Sequence, residues 1–123
     1  MKSGFWLVEF ERMIDIGSWG SVCRIKKCVF DFLSIVDLMD DEDRWDLMGR
    51  DIRLRSTFLY CDFNQVISNA PKEEKQPLID LANKLFQSIE ELDYAVQIRS
   101  ISLTQDRYDD AALVLKEVMT LMP

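Results

Sequence analysis

The stretch LIDLANKLFQSIEELDYAV, residues 78–96, carries an apolar side chain at nearly every third or fourth position. The members of this stripe are Leu78, Leu81, Ala82, Leu85, Ile89, Leu92 and Val96. Such spacing follows one face of an α-helix, which turns once in about 3.6 residues. The stretch therefore predicts a long amphipathic helix over about residues 72–98, beginning between Pro71 and Pro77.

A second helix is predicted before it, over about residues 42–68. Its stripe consists of Trp45, Met48, Ile52, Leu59, Phe63, Val66 and Ile67, with Ser56 in the gap. The acidic run at residues 40–43 offers capping side chains and negative charges that complement the positive end of a helix dipole. We therefore expect this helix to begin at the acidic run and to end before Pro71.

A further helix is predicted after the central stretch, over about residues 103–122. Ser102 and Gln105 have the spacing of a capping box, in which each side chain accepts from a free backbone amide of the other residue. The side chains expected to point inward are Tyr108, Ala111, Ala112, Leu115, Val118, Met119 and Met122.

The first helix is predicted over about residues 19–39, with Val22, Ile25, Val29, Phe32, Leu33 and Val36 on its apolar face. Short loops between four amphipathic helices force consecutive helices to run antiparallel. We therefore predict an all-α, up-down-up-down four-helix bundle over residues 19–123, with an amino-terminal arm at residues 1–18.

Composition limits the classes of partner. The 123 residues are 48% hydrophobic, enough for one core, and 22 acidic against 15 basic side chains give a net charge of −7. This charge repels nucleic acid and anionic lipid headgroups, so we expect neither nucleic acid nor direct lipid binding. No apolar run approaches the roughly 20 residues that span a bilayer. Residues 1–12 show neither a secretory nor a transit-peptide pattern.

Catalytic chemistry finds little support in the residue types. The chain has no histidine, and its four glycines form no phosphate-binding loop. The acidic run at 40–43 lacks the alternating ligands and glycine of a calcium loop. We therefore predict no enzyme, no catalytic residue, no cofactor, no metal site and no small-molecule substrate.

Cys23, Cys28 and Cys61 are expected to be buried thiols, with a bridge from Cys61 to Cys23 or Cys28 as the alternative.

Two features remain as candidates for docking to a partner. The second predicted helix carries four arginines, Arg44, Arg50, Arg53 and Arg55. The favoured explanation is ion pairing within the bundle, for example Asp46 with Arg50 and Asp51 with Arg55. The alternative is that the arginines form a docking patch. The arm contains Phe5, Trp6 and Phe10, which need cover either from the bundle itself or from a partner. The candidate docking residues are Phe5, Trp6, Phe10, Arg50 and Arg53.

Three segments resemble the PsbQ-like family of plant thylakoid-lumen proteins. They are GRDIRLRSTFLYCDFNQVI at residues 49–67, LANKLFQSIEELDYAV at residues 81–96, and residues 108–119. The resemblance extends over about two thirds of the chain, from Trp45 onward, and joins several segments in order.

This resemblance implies a four-helix bundle without enzymatic activity, located in the chloroplast thylakoid lumen and peripheral to the membrane. One member of the family shields the oxygen-evolving centre of photosystem II, and others are lumenal subunits of the chloroplast NADH dehydrogenase-like complex. The sequence STFLYCDFN, residues 56–64, is more similar to the second group. Residues 1–18 lack the proline-rich amino-terminal segment of the photosystem II subunit.

The resemblance therefore implies a subunit that docks on and stabilises the NADH dehydrogenase-like complex, which supports cyclic electron flow around photosystem I. Its expected partners are membrane and lumenal subunits of that large photosynthetic complex. A photosystem II subunit is the alternative, followed by a bundle that carries a ligand or a metal. A lumenal protein needs a bipartite targeting sequence, and the first residues of this sequence show no such pattern. The lumenal location is therefore expected from the resemblance alone.

Overall fold

A computed structural model of the chain describes residues 16–39 and 41–121. Four α-helices account for most of these residues: α1 (Ile16–Leu33), α2 (Trp45–Asn69), α3 (Lys72–Gln97) and α4 (Ile101–Leu121). Two short 3-10 helices, Ser34–Leu38 and Glu42–Arg44, connect α1 to α2. No strand occurs in this part of the chain.

Ion pairs between consecutive helices show that they run antiparallel. Arg24 near the middle of α1 pairs with Asp62 on α2, while Asp31, nearer the end of α1, pairs with Arg55, nearer the start of α2. The pairs that join the other neighbouring helices follow the same order: Asp46 with Arg99, Arg53 with Asp93, Lys84 with Glu117 and Glu91 with Arg107. The predicted all-α four-helix bundle is confirmed.

The core lies where the predicted stripes meet. All seven members of the α3 stripe are buried, and so are the stripe residues of the other helices that follow: Val22, Ile25, Val29, Phe32, Trp45, Met48, Ile52, Leu59, Phe63, Val66, Ala111, Ala112, Leu115 and Val118. Leu33, Ile67, Tyr108 and Met119 are half-buried against this cluster. Met122 lies outside the described residues.

The end of the first helix differs from the prediction. α1 ends at Leu33 and continues as a 3-10 helix, so the prediction that an α-helix buries Val36 is wrong. Val36 is 41% exposed, whereas Ile35 is 1% exposed. A 3-10 helix takes 3.0 residues per turn, which places residue i+3 directly above residue i. Ile35 therefore follows Phe32 into the core. α1 also begins at Ile16, inside the region predicted to be the arm.

The second helix begins later than predicted. The carboxylate of Asp41 accepts a hydrogen bond from the amide of Asp43 at 3.0 Å, and its carbonyl accepts one from Arg44 at 2.9 Å. These bonds close a tight 3-10 turn, and α2 starts only at Trp45. The acidic run thus begins a connecting turn rather than the α-helix, while Asp40 lies outside the described residues.

The predicted capping box of the fourth helix is wrong by two residues. α4 begins at Ile101, and the hydroxyl of Ser100 accepts from the amide of Leu103 at 3.2 Å. Arg99 has a left-handed backbone with φ of 55°, and the amides of Arg99 and Ser100 donate to the carbonyls of Val96 and Ala95. This tight end of α3 places Ser100, not Ser102, at the non-helical position that a cap requires.

Among the residues described, no helix is apolar over enough of its length to cross a bilayer.

Candidate docking surface

Arg55 holds α1 and α2 together. Its guanidinium lies 3.0 Å from the carboxylate of Asp51, which is the predicted pair, and 3.3 Å from that of Asp31 on α1. Burial on its own lowers the pKa of Arg55, but the hydrogen bond and charge of Asp51, together with the charge of Asp31, outweigh burial and raise it. Arg55 therefore serves the fold and stays charged.

Arg53 and Arg50 lie three positions apart on the part of α2 that faces α3 and solvent. Arg53 pairs across to Asp93 on α3 at 3.1 Å. The predicted pair of Asp46 with Arg50 is absent, because Asp46 is held at 2.9 Å by Arg99 from the start of the α3–α4 connection. The side chain of Arg50 is exposed and makes no hydrogen bond or ion pair to any other described residue.

These arginines surround a shallow groove. Arg50, Arg53 and Arg99 line it together with Trp45 and Val96, and its volume is about 300 Å³. Gly49 forms part of its floor, where an added Cβ would lie 3.3 Å from the guanidinium of Arg53. The groove therefore brings three guanidinium groups to one end of the bundle, although the whole chain is acidic.

The outer face of α2 carries a second apolar stripe. Leu47, Leu54 and Phe58 are each more than half exposed, at 53%, 56% and 55%, and Cys61 is exposed beside them. At about 100° per residue these positions lie on the side of α2 opposite its buried stripe. Sequence reasoning missed this stripe, although the recurrence of apolar residues at 47, 54, 58 and 61 has helical spacing.

A second groove lies between α1 and α2, next to the outer stripe. Phe58, Cys61 and Cys28 line its apolar part, and its volume is about 380 Å³. Arg24 borders it and binds Asp62 at 2.9 Å, a hydrogen bond that, with the charge of the carboxylate, raises the pKa of Arg24. Lys27 also borders it, 3.8 Å from Asp31.

The cysteines follow the prediction only in part. Cys28 is buried, whereas Cys23 and Cys61 are exposed, and all three are free thiols. Burial raises the pKa of Cys28, and nearby Arg55 offsets this only partly, so Cys28 stays protonated at neutral pH. Across residues 16–39 and 41–121, no three His, Cys, Asp or Glu side chains gather so as to hold a metal ion.

The structure places two of the five predicted docking residues. Arg50 and Arg53 lie together beside the arginine-lined groove. Phe5, Trp6 and Phe10 lie outside the described residues. The described surface is suited to binding by apolar contact and by charge pairing of Arg50, and both occur on the outer side of α2.

Comparison with known proteins gives a family. Residues 9–123 match the family PsbQ, described as oxygen evolving enhancer protein 3. The chain is 44% identical, over 88% of its length, to the Arabidopsis thaliana protein named photosynthetic NDH subunit of lumenal location 3, chloroplastic, of which it covers 49%.

Other relatives carry the oxygen-evolving name. The chain is 34% identical over 80% of its length to oxygen-evolving enhancer protein 3-1 of Arabidopsis thaliana, covering 44% of that protein. It is 45% identical over 65% of its length to oxygen-evolving enhancer protein 3 of Onobrychis viciifolia, covering 35% of it. The chain thus spans about half or less of the length of these relatives.

Proposed function

The chain belongs to the PsbQ family, and on that premise we propose that it is a non-catalytic lumenal subunit that docks on and stabilises the chloroplast NADH dehydrogenase-like complex. The observation that carries the proposal is the 44% identity, over 88% of the chain, to a relative named as an NDH subunit of lumenal location. The location in the thylakoid lumen, peripheral to the membrane, is proposed on the same name.

The surface of the bundle supports a role in docking. A subunit that binds a larger assembly must expose apolar and charged groups that its own fold does not satisfy. The outer stripe of α2 is one such group, and Arg50, which has no ion pair to another described residue, is the other. We propose membrane and lumenal subunits of the complex as partners, with Arg50, Arg53 and the arm residues Phe5, Trp6 and Phe10 in contact with them.

An extrinsic subunit of photosystem II is the second candidate function. It is favoured by the relatives named oxygen-evolving enhancer protein 3, one of which reaches 45% identity. That match extends over 65% of the chain, whereas the match to the NDH subunit extends over 88% at 44% identity. Similar identity over a longer span favours the NADH dehydrogenase-like complex.

Native gel electrophoresis of thylakoid membranes distinguishes the two functions. We expect an epitope-tagged chain, expressed in a plant, to co-migrate with subunits of the NADH dehydrogenase-like complex. In a line without that complex the band should disappear. Co-migration with photosystem II in both lines would instead identify the second candidate as the function.

A stabilising role has its own readout. In plants that lack this protein, we expect the amount of intact NADH dehydrogenase-like complex to fall while photosystem II supercomplexes remain. Unchanged levels of the intact complex would contradict stabilisation, even if the chain were bound to it.

A further inference from the structure

Helix α2 has two apolar faces, and only one of them is used by the bundle. The outer stripe runs from Leu47 to Cys61, a length of about 21 Å at the rise of an α-helix. Leu47, Leu54 and Phe58 along it are each more than half exposed. Isolated exposed apolar side chains are common on protein surfaces, but a row of them along one rigid helix is typical of an interaction site.

The charge beside this stripe is also unbalanced. The carboxylates of α2 itself each have a basic partner: Asp46 binds Arg99, Asp51 binds Arg55 and Asp62 binds Arg24. Asp93, on α3, binds Arg53. Arg50 has no such partner among the residues described. The unpaired charge along the stripe is therefore positive, within a chain whose net charge is −7. On a protein partner, the anionic side chain that complements it is a carboxylate.

We propose that the outer face of α2, formed by Leu47, Arg50, Leu54, Phe58 and Cys61, docks an amphipathic helix of a partner protein that places a carboxylate against Arg50. The inference rests on the proposed function, since the partner would be a subunit of the NADH dehydrogenase-like complex. A straight, narrow row of side chains forms a ridge that packs into a groove on one facing helix. The net charge of −7 repels an anionic lipid surface, which favours a protein as the partner.

The residues of this face contribute to binding in two ways, by apolar contact and by charge pairing. Phe58 and Cys61 also line the groove between α1 and α2, where a bulky apolar side chain of the partner helix can insert. Central aromatic and arginine residues carry most of the binding energy at protein interfaces. Arg50, at the border of the stripe, fixes the register of the partner helix and makes binding depend on salt.

Rebinding of the chain to opened thylakoid membranes that lack it, with their lumenal face accessible, tests the proposal. We expect Leu54→Glu to raise the concentration for half-maximal binding by about thirtyfold, the loss that marks a hot-spot residue at an interface. The matched control is Leu113→Glu on α4, because Leu113 is likewise exposed, at 68%, and lies away from α2. Both variants should keep the wild-type circular dichroism spectrum and melting temperature.

The charge is tested separately. Arg50→Gln should weaken binding at low salt, and the difference from the wild type should vanish as salt screens the ion pair. Suppose that the wild type binds the complex and that Leu54→Glu and Arg50→Gln both bind it as well as Leu113→Glu does. The proposal that the outer face of α2 docks the partner is then wrong, while the proposed function stands.

Photocrosslinking identifies the occupant. A photoreactive benzoylphenylalanine at position 54 should crosslink to a helical, carboxylate-bearing segment of a subunit of the complex. A crosslink to lipid, or to a second copy of the chain, would overturn the proposal. If the crosslinked acidic helix belongs to another complex, the docking face is supported and the proposed function fails.

Discussion

The hydroxyl of Tyr108 joins the first and the last helices. It donates to the carbonyl of Leu33 at 2.6 Å, at the end of α1, where backbone carbonyls lack partners within the helix. Burial raises the pKa of this hydroxyl above its ordinary value of 10.0, and the charges of Asp109 and Asp37 add to the rise. The folded protein therefore binds this proton more tightly than the unfolded chain does.

Stability should consequently fall at high pH. As pH rises past about 10, the unfolded chain loses the Tyr108 proton first and is favoured, until the folded protein loses it at its higher pKa. Below that range the protonated hydroxyl contributes its full stabilisation. Urea unfolding of wild type and Tyr108→Phe from pH 8 to 11 measures this. The stability difference between them should shrink with rising pH, and a constant difference would contradict the explanation.

Arg99 has a left-handed backbone at the end of α3, a position that glycine adopts without strain. Arg99→Gly and Arg99→Ala both remove the surface ion pair to Asp46, so they differ only in the backbone. We expect the glycine variant to be more stable than the alanine variant by about 1 kcal/mol. Chemical denaturation of the two variants checks this order, and equal stabilities would contradict it.

At the scale of the elements, Ser100 is the cap of α4. Ser100→Ala should lower the free energy of unfolding by about 1 kcal/mol, because the amide of Leu103 loses its acceptor. Ser102→Ala is the matched control, since Ser102 is exposed within the helix and alanine favours helices. Thermal melting should therefore separate the two variants. If Ser102→Ala were the more damaging, the capping box would begin at Ser102 after all.

The helices and their buried faces were predictable because apolar spacing reports them directly. The ends of the helices were less predictable, since at each end alternative local structures compete, such as an α-helical against a 3-10 turn. Ile35 enters the core in place of Val36 because the backbone tightens to a 3-10 helix. The spacing of apolar residues does not predict that change of helix type. Likewise, Ser102 and Gln105 have the pattern of a capping box, but the tight turn at Arg99 brings Ser100 into position first.

Ion pairs between helices escaped prediction for a related reason. Asp46 and Arg50 have helical spacing, but Asp46 instead binds Arg99, which is distant in sequence and near in the bundle. Only the packing of α2 against α3 determines that choice. As a result, the Arg50 side chain has no ion pair to another described residue, whereas Arg55 joins α1 to α2.

At the scale of the whole molecule, the bundle and the arm have separable roles under the proposed function. The described helices run from Ile16 to Leu121, so a chain without residues 1–15 retains the sequence of all four. We expect it to retain helical circular dichroism and to recover less well with the NADH dehydrogenase-like complex from thylakoid membranes. Unchanged recovery would exclude Phe5, Trp6 and Phe10 as an anchor. Unfolding of the truncated chain would show instead that the arm supports the bundle.

The candidate docking surface could be predicted only in part. The arginines of α2 stood out because they are concentrated in a short segment of a chain with a net negative charge. The outer stripe did not, because one stripe already explained α2 as a member of a bundle. Exposure distinguishes the two faces, and exposure follows from where the neighbouring helices pack.

The antiparallel order of the helices bears on how quickly the chain acquires its structure. Most helix contacts join elements that follow one another in sequence, and α1 meets α4 less extensively. Contacts between nearby segments close short loops, which costs little entropy and is associated with fast folding. We therefore expect fast folding, because each pair of consecutive helices can pack after a single short loop has closed.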